Sequence, residues 1–283
     1  MSTNEPQAYG QFPFGRPNTV RPMRTPSNHA RALLVGVYPS AFHIAWSPPA
    51  HLDPRPDHER RRPYIGSLAV DVEPVVFWDG NTPSPTDLLA TWKAAVGFTD
   101  AHGSATIGNN GPSGAGLVTN VLRPLGLTDD EVAFTDAVPW FFVKDGSGSQ
   151  GDAARTRFAP IAAAINAPPS TLPTRPTPRQ LVQTARSEAR RTSLRRELVD
   201  SSAPLVITLG QEALDAVRSV ADHCAGAQQR LAPTDEYGTR GNLMIHGHQM
   251  QLLPLVHPGF QRQTKRPDWL QQLARWTAGA GHS

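Results

Sequence analysis

Ala32-Leu33-Leu34-Val35-Gly36-Val37, closed by Tyr38-Pro39-Ser40, is the stretch on which the fold turns. A strand with one wet face alternates apolar and polar residues, so a continuous apolar run that stops in a turn reads as a strand buried on both faces. Three later runs have the same form: Val132 to Val138, Leu205 to Gly210, and Leu252 to Val256 ahead of His257-Pro258-Gly259. Helical patterns fall between them. From Ser113 to Leu125, residues Leu117, Val118, Val121, Leu122 and Leu125 share one face, with Ser113 as the expected N-cap. Gln211 to Val220 and Pro267 to Trp276 repeat the pattern. Strands alternating with helices predict an α/β fold, a three-layer α/β/α arrangement around a central, mainly parallel sheet of about four strands.

Composition sets the bounds. The chain has 283 residues, 39% hydrophobic and 18% charged, enough apolar material for a packed core. No run reaches the roughly 18 apolar residues a membrane span needs, and MSTNEPQAYGQFPFGRP at the start has neither a charged n-region nor an apolar h-region. Membrane insertion and secretion are therefore not expected. A single cysteine, Cys224, excludes an intramolecular disulfide and a cysteine-rich zinc or iron–sulfur site, and a cytoplasmic location is expected. Lys+Arg 27 against Asp+Glu 24 leaves a net charge of only +3, yet the pI is near 9.3 and the cations are almost all arginine, whose planar guanidinium suits phosphate. A polyanionic partner is allowed, although a GC-rich genome encodes the same arginine, alanine and proline bias.

Residues 1–28 are polar and proline-rich and read as an N-terminal arm that adds little core, and 29–283 read as a single domain with insertions at about 43–83 and 145–180. In the first insertion Ser67 to Val72 and Pro74 to Trp78 are expected to form a hairpin turning at Glu73-Pro74. The second leads into a stretch of helical propensity from Arg179 to Arg196 that holds Arg186, Arg190, Arg191, Arg195 and Arg196. That stretch either faces phosphate or is a solvated helix tied by Glu188 and Glu197.

In an open parallel sheet, ligands bind beyond the carboxyl ends of the strands. Those ends read Gly36 to Ser40, Asp136-Ala137-Val138-Pro139-Trp140, Gly210-Gln211-Glu212-Ala213 and His257-Pro258-Gly259-Phe260. In order and placement they resemble the motifs of the uracil-DNA glycosylase superfamily, particularly its shorter bacterial and archaeal branches. Gly36 to Ser40 resembles the family's first motif, a glycine turn beside the flipped base and its deoxyribose, which points to Gly36, Tyr38, Pro39 and Ser40 as substrate-binding. Gly111-Pro112-Ser113-Gly114-Ala115-Gly116-Leu117, running on to Pro124-Leu125-Gly126-Leu127, is similar to the family's glycine turn and the helix behind it, and adds Ser113. Phe134 to Val138 resembles the strand that ends in the base-reading residue, with Trp140 beyond it. Leu209 to Ala213 is similar to the helix-opening glycine turn, and His257-Pro258-Gly259 to the closing His-Pro-Ser motif.

The resemblance covers most of 30–277 outside the insertions. It implies a metal-independent DNA glycosylase without a cofactor, acting as a monomer on double-stranded DNA from which it flips a base. His257 would donate to the base O2 as negative charge develops there. Phe260, beside Gln261, would fill the gap left in the duplex, Gly210 and Gly259 would let backbone approach DNA, and Arg262, Lys265 and Arg266 would bind flanking phosphates.

Two departures from the family pattern are informative. Tyr38 stands where many members keep an Asp or Asn that activates water, so another carboxylate is expected to do this, in the order Asp79, Asp71, Glu73. Asp136 stands where uracil-removing members have Asn. An Asn amide donates to uracil O4 and accepts from the N3 hydrogen, whereas a carboxylate only accepts. Cytosine presents the reverse edge: Asp136 accepts from N4 and, when protonated, donates to N3, acting also as a general acid. That role requires a raised pKa, expected from an apolar pocket of Phe134, Trp140 and Phe141. Removing ordinary cytosine would destroy the host's own genome. The expected base is therefore a cytosine with a bulky 5-substituent, such as the glucosylated 5-hydroxymethylcytosine of phage DNA, with the 43–83 insertion enlarging the pocket. Competing readings are a uracil or deaminated-base glycosylase in repair, a catalytically silent DNA-binding member of the superfamily, a metal nuclease using Asp71, Glu73, His246 and His248, and a serine hydrolase at Ser40, which lacks a Gly-x-Ser-x-Gly elbow.

Overall fold

The computed structural model describes residues 8–27, 29–257 and 266–279. Eleven strands occur among them: β1 (Ala8–Gln11), β2 (Pro17–Thr19), β3 (Ala32–Gly36), β4 (Ala41–Ser47), β5 (Ile65–Val72), β6 (Ser104–Ile107), β7 (Val132–Asp136), β8 (Leu205–Leu209), β9 (His223–Ala225), β10 (Gly241–Ile245) and β11 (His248–Leu255). The fold is mixed α/β, with a central, mostly parallel sheet of order β7-β3-β8-β11-β10-β9 flanked by helices. The four apolar runs become β7, β3, β8 and β11 and pair in parallel as one block. Every residue of β3, β7 and β8 is buried, which is why those runs do not alternate. Pro254 is tolerated in β11 because its antiparallel neighbour β10 has already ended opposite Leu252.

The chain divides into two compact units. One comprises residues 1–20, 39–112 and 140–175; the other comprises 21–38, 113–139 and 176–283 and holds the six-stranded sheet.

In the first unit, β5-β4-β6 is an antiparallel sheet packed on a cluster of aromatic side chains. Phe14 of the expected arm joins that core, its ring 4.7 Å from Phe158 and 5.3 Å from Trp92, centroid to centroid, and Phe12 is buried in a second cluster with Ala41, Ala69, Phe141 and Val143. The expected hairpin does not form. Ile65–Val72 pairs with Ala41–Ser47 instead, and Pro74 to Trp78 turns back with Val76, Phe77 and Trp78 buried. The Gly- and Ala-rich second insertion contains a helical segment, 150–162, whose Phe158 and Ile161 reach the same core.

His43, on β4, is buried. Its backbone N–H donates to Asn110 Oδ1 at 2.8 Å, its carbonyl accepts from Asn110 Nδ2 at 2.9 Å, and its Nε2 lies 2.7 Å from Gln150 Nε2. Burial, the largest influence, lowers its pKa from 6.5 to about 4. The neutral ring is the folded form, so the unfolded chain binds the extra proton as pH falls through 6.5, and stability is lost from there down to about 4. Urea unfolding should show wild type losing about 3 kcal/mol more than His43→Gln between pH 7 and 4. Parallel losses in the two proteins would mean that His43 does not titrate in this way.

Candidate active site

The chain runs from β3 to β7 on one side and later enters β8 on the other side of β3, so the connections diverge at the β3–β8 boundary. Such a switch point leaves a crevice beyond the carboxyl ends of the strands. Two turns border it. Gly36-Val37-Tyr38 leaves β3, with Tyr38 half-buried. Gly210 leaves β8 at φ +98°, donates its N–H to the Leu255 carbonyl at 2.8 Å and opens the helix Gln211–Val220. A Cβ at Gly210 would stand 3.5 Å from Val37 Cγ2, and its positive φ disfavours any L side chain there.

Asp136 ends β7 on the β3 side. It is the register partner of Gly36, and the next two amides donate across the gap, Ala137 to the Gly36 carbonyl at 2.8 Å and Val138 to the Val37 carbonyl at 2.9 Å. On the β8 side β11 continues into Val256 and the half-buried His257. The Val256 N–H donates to the Tyr237 hydroxyl at 3.2 Å. Burial pushes the Tyr237 phenol above its ordinary value, so it stays protonated, and its ring packs edge-on against Trp269 at 5.5 Å. The strand ends carrying Asp136, Gly36, Gly210 and His257 therefore stand side by side in the second unit. At about 4.8 Å per strand, the outer two are roughly 14 Å apart.

Asp136 is 2% exposed. Its peptide is held by Arg190 of the helix Glu188–Asp200, 5% exposed: Nη2 donates to the Asp136 carbonyl at 2.6 Å and Nε to the Ala137 carbonyl at 3.0 Å. Glu197, one helix face along, takes Arg190 Nη1 at 2.6 Å and Nη2 at 2.9 Å, and the Thr135 hydroxyl donates to it at 2.6 Å. Burial alone would raise the Glu197 pKa, but the Arg190 bonds and charge, with the Thr135 and Ser193 hydroxyls, bring it below the ordinary carboxylate value. Since Thr135 faces this helix, strand alternation sends the Phe134 and Asp136 side chains to the opposite face.

The other expected site residues fall as follows. Pro39, Ser40 and Trp140 belong to the first unit, as do Asp71, Glu73 and Asp79. Asp71 is ion-paired with Arg16 Nε at 2.8 Å and accepts from the Val72 N–H. Asp79 closes its own turn, accepting from Asn81 N at 2.9 Å and Asn81 Nδ2 at 2.8 Å. Burial opposes ionisation there, but these bonds and the Thr82 amide lower its pKa overall. Glu73, third in the expected order, is buried and holds the first motif: its Oε1 accepts from the Ser40 N–H at 3.3 Å and the Phe77 N–H at 3.2 Å. Trp140 stacks flat on Tyr9 at 3.9 Å and Phe141 packs on Phe12, all within the first unit, whereas Phe134 shares the strand and face of Asp136. Ser113 lies inside a helix that starts at Pro112 and is not its N-cap. Arg266 is exposed and pairs with Asp268 at 2.7 Å. Gly259, Phe260, Gln261, Arg262 and Lys265 lie outside the described residues.

The arginine-dense stretch is not one phosphate-facing row. It breaks into Pro178–Ala185 and Glu188–Asp200, Arg190 points inward, and Arg195 binds the Val220 carbonyl and Asp222. Sequence reading ties Glu197 to this arginine stretch only as a solvated pairing, so it misses that Arg190 is buried and paired with Glu197, and it misses Tyr237. A signal for Arg190 is present: it falls on the same helical stripe as the buried Leu194 and Leu198. Among the described residues no three His, Cys, Asp or Glu side chains are grouped to hold a metal ion, and no helix is long and apolar enough to cross a membrane.

The fold is thus mixed α/β, and its parallel strands end at a topological switch point, the place where open sheets of this kind bind ligands. Compared with known proteins, the chain matches no protein-family model and no curated protein.

Removing one partner of a buried ion pair leaves the other charged and poorly solvated. Arg190→Met should lower the unfolding free energy by about 3–5 kcal/mol and speed hydrogen exchange at Ala137 and Val138, with Arg190→Met/Glu197→Leu recovering much of the stability. Unchanged exchange at these two amides would show that the pair does not hold the end of β7.

Proposed function

We propose that the protein is a DNA glycosylase that takes up a flipped cytosine-type base bearing a bulky 5-substituent, such as glucosylated 5-hydroxymethylcytosine, and hydrolyses its N-glycosidic bond to leave an abasic site. The observation that carries this reading is Asp136: a buried carboxylate at the end of a parallel strand, its backbone fixed by Arg190, beside the turn after β3. In a dry site a mismatched polar edge finds no water to replace the missing bond, so base choice follows the donors and acceptors the protein offers.

The chemistry follows from these positions. Asp136, protonated, donates to N3 while its other oxygen accepts from N4. As the C1′–N1 bond breaks, its electron pair passes to the base. His257, at the far end of the strand row, donates to O2 where that charge collects. Water adds its oxygen to C1′ and gives up a proton. A carboxylate acting as general base takes it. A role against phage with modified DNA follows from the substrate.

The test is mass spectrometry of bases released, in EDTA, from duplexes containing uracil, cytosine, 5-hydroxymethylcytosine or its glucosylated form. Release of a modified cytosine is expected, and it should be abolished in folded Asp136→Ala and His257→Ala. Asp136→Asn should move preference toward uracil by about one to two decades, the worth of one buried mismatched edge. Uracil release by wild type would replace the substrate and keep the reaction, and activity retained in Asp136→Ala would remove the base-reading role.

A further inference from the structure

The first unit carries a basic surface that the proposed reaction does not use. Residues 53–64 form a loop held by its own side chains. Asp53, buried, takes Arg55 at both oxygens, Nε to Oδ1 at 3.0 Å and Nη2 to Oδ2 at 2.8 Å. Arg55 lies over the Tyr64 ring at 5.2 Å and donates to the Pro63 carbonyl, while Arg60 donates to the carbonyls of Arg55 at 2.8 Å and Asp53 at 3.1 Å. Arg60 also takes Asp57 at 2.8 Å. Two arginines and two aspartates are thus committed to the loop's shape.

Arg61 and Arg62 come next and are not committed. Both are exposed, and neither has a carboxylate partner among the described residues. Arg157 arrives from the 150–162 segment, also exposed, with a single long bond of 3.4 Å to the Tyr64 carbonyl. The three guanidinium groups rim a concavity of about 680 Å³ in which Glu59, the carboxylate on the rim, is turned to His58 at 3.7 Å. A second concavity of about 370 Å³ lies between Ile65 to Ser67 and Lys144 to Gln150; it adds the exposed Lys144 and shares Arg157 with the first.

We infer that these two concavities, joined at Arg157, form a track for the phosphodiester backbone of a nucleic acid, with Arg61, Arg62 and Arg157 each taking one phosphate. Three arginines against the one carboxylate, Glu59, leave this shaped surface net positive and favour an anionic occupant. Their placement decides the kind of anion. Three exposed arginines line the first hollow, and Arg157 with Lys144 carries the positive surface on into the second, an extended arrangement that a repeating polyanion matches better than a single phosphate does. The loop is already held by Asp53, Arg55 and Arg60, so docking the polymer costs little further ordering. The track shares its polymer with the glycosylase reading, but neither its residues nor its chemistry.

The experiment is fluorescence anisotropy of the full chain with a labelled 30-nucleotide duplex DNA, the single strand and the matching RNA, each over a range of salt. Arg61→Ala/Arg62→Ala/Arg157→Ala is compared with the triple lysine replacement, and thermal melting confirms that both are folded. The alanine variant should bind at least tenfold more weakly at low salt and lower the slope of log affinity against log salt by about 2–3, one for each phosphate left without its arginine, whereas the lysine variant keeps the slope. An unchanged slope in the alanine variant overturns the track while base release by wild type still upholds the glycosylase reading. Binding that depends on the three arginines, with no base released from any duplex, upholds the track and sinks that reading. Inorganic pyrophosphate bound by wild type as tightly as the polymers, and no longer bound by the alanine variant, overturns the track in favour of a small phosphate ligand. Preference among the three polymers identifies the source.

Discussion

The arrangement of the second unit depends on what Arg190 does at the end of β7. A strand's ladder bonds stop where its neighbour turns away, and the last carbonyls must find donors or stay unsatisfied. The Arg190 guanidinium supplies them, reaching the carbonyls of Asp136 and Ala137 from the far face of the sheet. A guanidinium in so buried a position needs a counter-charge, which Glu197 provides from the same helix, seven residues on. A buried pair of this kind seldom adds much net stability, because desolvation offsets attraction. What it fixes is direction. With its peptide held behind and its register set by Gly36 in front, Asp136 has one backbone orientation from which to present its carboxyl group.

How much of this is legible in the sequence follows from which face of each element is wet. β3, β7, β8 and the last part of β11 are buried throughout, and burial on both faces writes itself into sequence as an unbroken apolar run. β10 alternates, and its hairpin to β11 turns on His246 at φ +50° and Gly247 at φ +78°, a pairing that carries no Asn-Gly or Asp-Gly signature. β4 begins directly after the Pro39-Ser40 turn and hides within an apparent insertion, because its partners β5 and β6 lie 20 to 60 residues further on. Phe12 and Phe14 are hidden for a related reason: two aromatic residues among prolines and polar residues have no period, and only the surrounding fold makes them core.

The site shows the same division. Strand-end positions are readable, so Gly36, Asp136, Gly210 and His257 come out as neighbours. Carboxylate partners are not, since an ion pair between residues far apart in the chain leaves no local trace. Asp71 reads as available in its own stretch of sequence, yet Arg16, 55 residues earlier, is bound to it. Glu73, ranked behind Asp71 and Asp79, is the one of the three that grips Ser40. Spacing locates the ends of secondary structure well, but it says little about which charges those ends will meet.

The position of β3 also bears on the making of the protein. It is the first strand of the six-stranded sheet in the chain and lies inside it, with β7 on one edge and β8 on the other; Ala32 is the partner of both Val132 and Leu205. At about 5–20 residues per second on the ribosome, roughly 10–35 s pass between synthesis of β3 and of β8. Throughout that interval a wholly apolar segment has at least one hydrogen-bonding edge uncovered. The growing polypeptide, more than the finished molecule, is thus the form most exposed to wrong pairing, and slower translation lengthens the hazard without changing anything in the native fold.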